Sequence, residues 1–333
     1  MSGNQPRTVV ITGASAGVGR ATALAFARHG WKLALVARDP LGLQETKEEV
    51  ERARGSALSI PADVSDAEAI FAASDRVAGD FGAIDVWINN AMVTMFSPVG
   101  DMTPAEFRRI TEVTYLGYVY GTMAALRHMR ARNAGTIVQV GSALAYRAIP
   151  LQSAYCGAKF AIRGFTDALR SELQHEKSAV RITMVQLPAV NTPQFDWGRN
   201  KMPRRPQPVG PIHQPEAIAE TIFRASQHAP RELWVGFASV KAILGTMVMP
   251  GMLDRLLARK GYDGQLSSEP RQPDSPDNLF QPVSGRHAAH GRFDDRAQSS
   301  VTAFQPPILR AAVVISGLLF ALALAFVITW LLG

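Results

Sequence analysis

Short apolar runs and longer amphipathic stretches alternate along residues 7–236. The runs are rich in β-branched residues, which is typical of buried strands. In the stretches between them, apolar residues recur every three or four positions, which is typical of helices that pack through one face. The runs predict strands at Arg7–Thr12, Lys32–Ala37, Ala57–Ile60, Ile84–Asn89, Thr136–Val140, Arg181–Leu187 and Leu233–Gly236.

The amphipathic stretches predict helices that fall between these strands. Strict alternation of strand and helix favours parallel pairing, because each helix returns the chain to the same end of the sheet. The pattern therefore predicts an α/β fold, a parallel sheet with helices on both faces, in one catalytic domain over residues 1–263. The predicted helices are Gly17–His29, Leu41–Arg54, Asp66–Asp80, Pro104–Arg130, Ser153–Gln174 and Glu216–Gln227.

Two segments depart from this alternation. Residues 192–215 contain six prolines and several cations and follow the sixth predicted strand, so we expect a loop there. Residues 264–307 are polar, rich in proline and glycine, and without periodicity. Such a composition predicts a disordered linker.

The last part of the chain is strongly apolar. No charged residue occurs from Ala311 to Leu332. A helix of this length spans about 33 Å, and a membrane hydrocarbon core is about 30 Å thick. We therefore predict a transmembrane helix over residues 308–332, with a buried core helix as the alternative. Arg292, Arg296 and Arg310 precede the span, which predicts a single-pass anchor with the catalytic domain on the cytoplasmic side.

Composition excludes some classes of protein. One cysteine, Cys156, excludes an internal disulfide framework and fits a reducing compartment. The net charge is +7, but no nucleic-acid motif accompanies it, so we expect no nucleic-acid partner. A basic chain also suits anionic lipid surfaces and phosphate-bearing cofactors. We expect no metal site.

A glycine-rich turn joins the first strand to the first helix. It reads Thr12-Gly13-Ala14-Ser15-Ala16-Gly17-Val18-Gly19. Gly13 permits a tight turn, and Gly17 and Gly19 let the backbone approach a pyrophosphate at the helix N-terminus, where the helix dipole favours anions. After the second strand stands Arg38, where an acidic residue would bind the ribose of NAD. Arg38 can pair with a 2′-phosphate, which favours NADP(H); the alternative is a solvated arginine.

Ser142, Tyr155 and Lys159 have the chemistry of proton transfer to oxygen. Tyr155 and Lys159 are four residues apart, so a helix places them on one face. We expect the lysine ammonium to favour the tyrosine phenolate and to lower a pKa that is ordinarily near ~10. Ser142 ends the apolar run that contains the fifth predicted strand. There its hydroxyl can hold a carbonyl or alcohol oxygen beside Tyr155.

At these residues the chain resembles the short-chain dehydrogenase/reductase family, in its single-domain branch. The resemblance runs from Arg7 to Gly236 and includes the glycine-rich turn, Asp63-Val64, Asn89-Asn90-Ala91, Ser142 and Tyr155-x-x-x-Lys159. It implies a Rossmann-like, doubly wound parallel sheet of seven strands. It also implies a substrate loop near residues 192–215 and a homodimer formed through helices 104–130 and 153–174.

The resemblance further implies which residues contact the cofactor. Asp63 would meet the adenine amine, and Val64 would pack against the adenine ring. Asn90 and Ala91 would line the coenzyme ribose. Tyr155 and Lys159 would contact the nicotinamide ribose, and Ser15 and Val18 belong to the pyrophosphate turn. Pro188 and Thr192 would flank the nicotinamide.

One departure from the family concerns catalysis. The family often has an asparagine in a Val-Asn-x-x-Gly context, where it helps to hold a water of the proton relay. This chain has Val113-Thr114-Tyr115-Leu116-Gly117. We take Thr114 as a candidate substitute through its hydroxyl; the alternative is weakened catalysis.

Two functions therefore remain. The first is an NADP(H)-dependent oxidoreductase that transfers a hydride between nicotinamide and a carbonyl or alcohol substrate. The anchor and apolar loops favour a lipophilic substrate for it. The second is a membrane-tethered, cofactor-binding scaffold with weak or no catalysis.

Overall fold

Fifteen strands and ten α-helices occur among the residues that the computed structural model describes, which are 6–272, 275–283, 285, 287–307 and 309. The strands are β1 (Thr8–Thr12), β2 (Lys32–Ala37), β3 (Ser56–Pro61), β4 (Val86–Asn89), β5 (Met95–Phe96), β6 (Thr136–Ser142), β7 (Arg181–Leu187), β8 (Ala189–Val190), β9 (Arg199–Asn200), β10 (Arg204–Pro206), β11 (Ile212–His213), β12 (Glu232–Val235), β13 (Leu266–Pro270), β14 (Ala297–Gln298) and β15 (Ala303–Phe304). The helices are α1 (Gly17–Arg28), α2 (Pro40–Arg52), α3 (Ala67–Phe81), α4 (Pro104–Thr111), α5 (Gly117–Arg132), α6 (Ser153–His175), α7 (Gln194–Trp197), α8 (Pro215–His228), α9 (Phe237–Val248) and α10 (Pro250–Gly264).

The central sheet has the order β15-β12-β7-β6-β4-β1-β2-β3. Its pairs are parallel, except that β15 pairs antiparallel with β12. The prediction of a Rossmann-like α/β fold with a mostly parallel sheet is confirmed, and β15 adds an eighth strand at the edge. The strand order reverses between β1 and β4, and in such sheets ligands bind at the carboxyl ends of the strands beside that point.

Two apolar cores lie on the two faces of the sheet. One core contains Phe26 of α1 and Ile222 of α8, and the other contains Ile70 of α3 and Leu169 of α6. The strands between them are buried on both faces, which is why their sequences read as continuous apolar runs.

The predicted helix 104–130 is interrupted. Residues Glu112–Leu116 form a π-helical turn between α4 and α5. Side chains pack tightly there: a Cβ at Gly117 would lie 2.7 Å from Cγ2 of Val64, and the Thr114 hydroxyl is bonded to the backbone of Val93. Such turns are frequent at functional sites.

The described residues of 264–307 do not form the disordered linker that we predicted. Among them, Leu279, Val283, His287 and Phe293 are buried against the domain. Their spacing matches neither a helical nor a strand period, so the sequence pattern did not predict their burial.

The structure describes the predicted loop 192–215 but almost none of the predicted membrane span. The loop contains α7 and the short strands β9, β10 and β11. Within the described residues, no helix is long and apolar enough to cross a membrane. The predicted span at 308–332 lies outside the described residues, apart from Leu309.

Candidate active site

A cavity of about 550 Å³ opens at the carboxyl ends of the central strands. Its volume is within the range of about 300–1,000 Å³ that small-molecule sites occupy. The structure brings most of the predicted site residues to its wall. Those lining it are Gly13, Ser15, Gly17, Val18, Arg38, Asp63, Val64, Asn90, Ala91, Ser142, Tyr155, Lys159, Pro188 and Thr192.

In the glycine-rich turn, Gly13 and Gly19 lie in close contact with neighbouring backbone atoms. Gly13 has a φ of +67°, and a Cβ there would lie 2.8 Å from Cα of Ala91. At Gly19 a Cβ would lie 2.1 Å from the carbonyl oxygen of Gly13. Side chains are therefore excluded at these two positions, which lets the backbone pack closely beside the N-terminus of α1.

Asn90 fixes this turn to the end of β4. Its Nδ2 donates to the carbonyl oxygen of Thr12 at 2.9 Å, and the Thr12 hydroxyl accepts from the backbone N–H of Asn90 at 2.9 Å and of Ala91 at 3.1 Å. Asn90 and Ala91 line the cavity, and the Asn90 amide also holds the turn.

Ser142 and Tyr155 both line the cavity. Ser142 is the last residue of β6, and Tyr155 lies in the first turn of α6. The Ser142 hydroxyl also accepts from the backbone N–H of Leu144 at 3.1 Å. Burial raises the pKa of Tyr155 above its ordinary value, and the hydrogen bond with Ser142 opposes that rise. Tyr155 is therefore protonated at neutral pH in this structure and can donate a proton.

Lys159 is fully enclosed below Tyr155. Its Nζ donates to the Tyr118 hydroxyl at 3.0 Å and to the Val140 carbonyl oxygen at 2.8 Å. Nζ lies 5.5 Å from the centroid of the Tyr155 ring. Burial lowers the pKa of Lys159 to about 7. The expected lowering of the Tyr155 pKa by a lysine ammonium is thus absent from this structure, because desolvation disfavours the charge on both groups.

Tyr118 is a site residue that sequence reasoning missed. It lies in the predicted helix 104–130, which we had assigned to a dimer interface. Only 1% of Tyr118 is exposed, and its hydroxyl donates to the Val140 carbonyl oxygen at 2.9 Å. The available signal was its position one helical turn after Thr114, which directs its hydroxyl to the same part of the sheet.

Thr114 does not contact Lys159 through its hydroxyl. That hydroxyl donates to the Val93 carbonyl oxygen at 2.9 Å and accepts from the Val93 N–H at 3.1 Å. It therefore holds the loop after β4 against the π-helical turn. The side chain that meets Lys159 from this helix is Tyr118.

At the other end of the cavity, Arg38 and Asp63 already have protein partners. Arg38 donates to the carbonyl oxygens of Asn278 and Phe280. Asp63 pairs with Arg109 and accepts from Ser65. Burial would raise the pKa of Asp63, but these hydrogen bonds hold it below the ordinary value. Arg38 is thus not the merely solvated arginine of the alternative interpretation.

The residues present fit a dinucleotide. The turn excludes side chains where a pyrophosphate would approach, and positive charge lies at the far end. Among the described residues that line the cavity, the amides of Asn278 and Gln194 contact each other, with Nδ2 of Asn278 donating to Oε1 of Gln194 at 3.4 Å. In the same described part of the chain, no group of three His, Cys, Asp or Glu residues suits a metal ion.

The family assignment follows from comparison with known proteins. A family model described as short chain dehydrogenase matches residues 7–202. The chain belongs to the short-chain dehydrogenase family. An uncharacterized oxidoreductase of Bacillus subtilis (strain 168), YxnA, is 33% identical over 313 residues, covering 92% of this chain and 88% of the relative. A putative oxidoreductase, SadH, of Mycobacterium tuberculosis (strain ATCC 25618 / H37Rv) is 32% identical over 265 residues, covering 78% of this chain and 96% of the relative.

Solved structures give the same assignment. Levodione reductase is 33% identical with a TM-score of 0.54, over 57% of this chain and 74% of that chain. An alcohol dehydrogenase from the archaeon Thermococcus sibiricus, complexed with 5-hydroxy-NADP, is 29% identical with a TM-score of 0.57, over 65% of this chain and 88% of that chain. The chain is therefore an oxidoreductase of a family that uses a nicotinamide cofactor, NAD or NADP.

Proposed function

We propose that this protein is an NADP(H)-dependent oxidoreductase that interconverts a carbonyl and an alcohol on a lipophilic substrate. The observation that carries the proposal is the Ser142–Tyr155 pair, which faces the cavity with Lys159 enclosed beneath it. When bound, the cofactor supplies or accepts the hydride at carbon. The protein's own residues then donate a proton to the substrate oxygen or accept one from it.

Each of the three side chains has one role in the proposed reaction. Tyr155 donates its phenolic proton to the substrate oxygen in reduction and takes it back in oxidation. Ser142 donates a hydrogen bond that orients the same oxygen. Lys159, when charged, stabilises the phenolate that Tyr155 becomes, and Tyr118 holds the lysine in place. The scaffold alternative was based on Thr114, which replaces the family's asparagine. Tyr118 supplies a polar partner for Lys159 instead, so this replacement is weaker support for a scaffold.

The choice of NADP over NAD rests on Arg38. The residue directly after β2 is Arg38. The carboxylate that follows it, Asp39, caps α2 by accepting from the Gly42 N–H at 2.6 Å. A guanidinium has five N–H donors, and its carbonyl partners at Asn278 and Phe280 leave donors for a phosphate. An arginine held in this way is positioned for a 2′-phosphate.

A lipophilic substrate is favoured by the wall of the cavity on the side away from Arg38. Apolar side chains predominate there. The polar side chains of this wall include Ser142, Tyr155, Thr94, Arg147, Gln152, Gln207 and Ser239. Such walls exclude water and bind substrates largely by apolar contact. The apolar residues of this wall include Val93, Phe96, Ile149, Val209, Ala242, Leu253, Leu256 and Leu257.

The membrane attachment and the dimer are also proposals. The uncharged sequence from Ala311 to Leu332 supports a single-pass anchor, with the catalytic domain on the cytoplasmic side. Phe107, Met123 and Phe160 are exposed on α4, α5 and α6, which supports a homodimer through these helices. Tyr118 is excluded from that interface because it lies in the protomer's own core.

The test is cofactor oxidation with a panel of aldehydes and ketones of increasing chain length. We expect NADPH oxidation to exceed NADH oxidation and kcat/KM to rise with chain length. Equal use of both cofactors would contradict the NADP assignment. A lack of turnover with every substrate, despite tight NADPH binding, would favour the scaffold.

A further inference from the structure

A segment near the C-terminus lies across the cofactor end of the cavity. We name residues 277–283 and 287–293 the strap. They lie beyond residue 202, where the match to the family model ends. Four strap residues line the cavity together with the glycine-rich turn: Asn278, Pro282, Val283 and His287.

The strap is attached at the adenosine end through backbone carbonyls. Arg38 donates to those of Asn278 and Phe280, and Arg109, the partner of Asp63, donates to that of Leu279 at 3.0 Å. The Leu279 side chain is fully buried in the core beside α3. Both predicted adenosine-binding groups, Arg38 and Asp63, are thus linked to one short piece of strap.

The strap is attached a second time at the N-terminus of α1. The carbonyl oxygen of Ala288 accepts from the Gly17 N–H at 3.0 Å, and that of His287 accepts from the Arg20 guanidinium at 2.7 Å. Gly17 belongs to the turn predicted to hold the pyrophosphate. Strap and cofactor would therefore contact the same turn from adjacent sides.

A third set of contacts joins the strap to the loop beside the substrate end. The Asn278 N–H donates to the Trp197 carbonyl oxygen at 2.9 Å, and the rings of Trp197 and His287 lie 4.8 Å apart. The Phe293 N–H donates to Oδ1 of Asn191 at 3.0 Å. The strap and residues 191–197 thus form one continuous cover.

The cavity persists beneath this cover, and four residues of the strap form part of its wall. We propose that the strap closes over the adenosine and pyrophosphate half of the bound cofactor and that it must detach before the cofactor dissociates. This inference rests on the proposed function. The alternative is a competing strap, which would occupy the cofactor's own binding site and would have to leave before the cofactor binds.

Gly42 offers a substitution that loosens the strap from outside the cavity. A Cβ at Gly42 would lie 2.4 Å from Nδ1 and 2.8 Å from Cγ of His287. Gly42 is in α2, where alanine is otherwise favoured by up to about 1 kcal/mol. G42A therefore displaces the His287 ring without removing a cavity-lining side chain. Gly79 in α3 has nothing within 4 Å of its Cβ position, so G79A is the matched control.

The experiment measures NADPH dissociation by stopped-flow fluorescence, without substrate, in the full-length protein. We expect G42A to dissociate NADPH at least tenfold faster than wild type, and G79A to match wild type. A rate in G42A equal to wild type would overturn the proposal. So would slower dissociation with tighter binding, since that result describes a competing strap.

Two further measurements separate the possible causes of failure. G291A disturbs the other end of the strap, because a Cβ there would lie 2.4 Å from the Thr192 carbonyl oxygen; it should also accelerate dissociation of NADPH.

In wild type, NADPH should slow hydrogen exchange at strap amides, and unchanged exchange would overturn the proposal even if a variant fails to fold. If wild type binds neither NADPH nor NADH, the proposed function fails and the strap proposal falls with it. If it binds either cofactor while strap exchange is unchanged, the strap proposal alone fails.

Discussion

Replacing Tyr118 with phenylalanine isolates the support of Lys159. The change removes the hydroxyl that accepts from Lys159 Nζ at 3.0 Å but keeps the ring that fills the core. Nζ retains its bond to the Val140 carbonyl oxygen at 2.8 Å, so the lysine stays in place with one partner fewer. Tyr118→Phe therefore tests the charge on Lys159 more than the packing around it.

The size of the effect follows from the chemistry of that bond. A hydrogen bond to a charged group contributes about 1.5–3 kcal/mol, and burial here leaves the ammonium few alternatives. One pKa unit corresponds to about 1.4 kcal/mol, so the pKa of Lys159 should fall by about 1–2 units. It lies at about 7 in this structure, so at neutral pH most of the variant's lysine would be uncharged. The charged fraction at pH 7 then falls from about one half to between about 9% and 1%, so the rate of the chemical step should fall about 5- to 50-fold.

The assay is the pH dependence of single-turnover carbonyl reduction at saturating NADPH. If charged Lys159 is required, the rate falls as pH rises through its pKa, and this fall should shift to lower pH by about 1–2 units in the variant. Tyr115→Phe is the control, because Tyr115 packs in the same small cluster beside Tyr118. A lower rate with an unshifted pH profile would mean that Tyr118 has only a structural role. An unchanged rate would refute the reasoning.

Three other predictions concern the cofactor, the anchor and the oligomer. Arg38→Asp should weaken NADPH binding at least tenfold more than NADH binding in paired titrations, because the carboxylate repels a 2′-phosphate; an unchanged preference would count against NADP. Removal of residues 308–333 should move the protein from the membrane to the soluble fraction with its turnover retained, and continued sedimentation with membranes would show that the tail is not the main anchor. Phe160→Glu should convert a dimer to a monomer in analytical ultracentrifugation, since Phe160 is exposed on α6; a wild-type monomer at micromolar concentration would refute the dimer.

The sequence was sufficient for the central sheet and for the position of most of the cavity wall. Buried parallel strands are nearly continuous apolar runs, and glycines at fixed spacing after the first strand mark the turn beside the cavity. These features are local, so they can be recognised without knowing which distant residues touch. The alternation of strands and helices then places Ser142 and Tyr155 at the same end of the sheet.

What the sequence did not predict depends on contacts between distant residues. Tyr118 has the appearance of an interfacial aromatic until its hydroxyl is seen on Lys159, 41 positions away. The strap has the composition of a linker, although residues such as Leu279 and Phe293 are buried against the domain. The lowered pKa of Lys159 likewise follows from enclosure, which a Tyr-x-x-x-Lys spacing does not reveal.

The central claim is that Tyr155 transfers the proton at this site. Tyr155→Phe removes the phenolic hydroxyl and keeps the ring, so the account predicts loss of more than 99% of NADPH-dependent carbonyl reduction with NADPH affinity within about threefold of wild type. Turnover and affinity should be measured on the same preparation. A variant that retains a substantial part of the wild-type turnover would contradict the claim, because the proton would then come from another group.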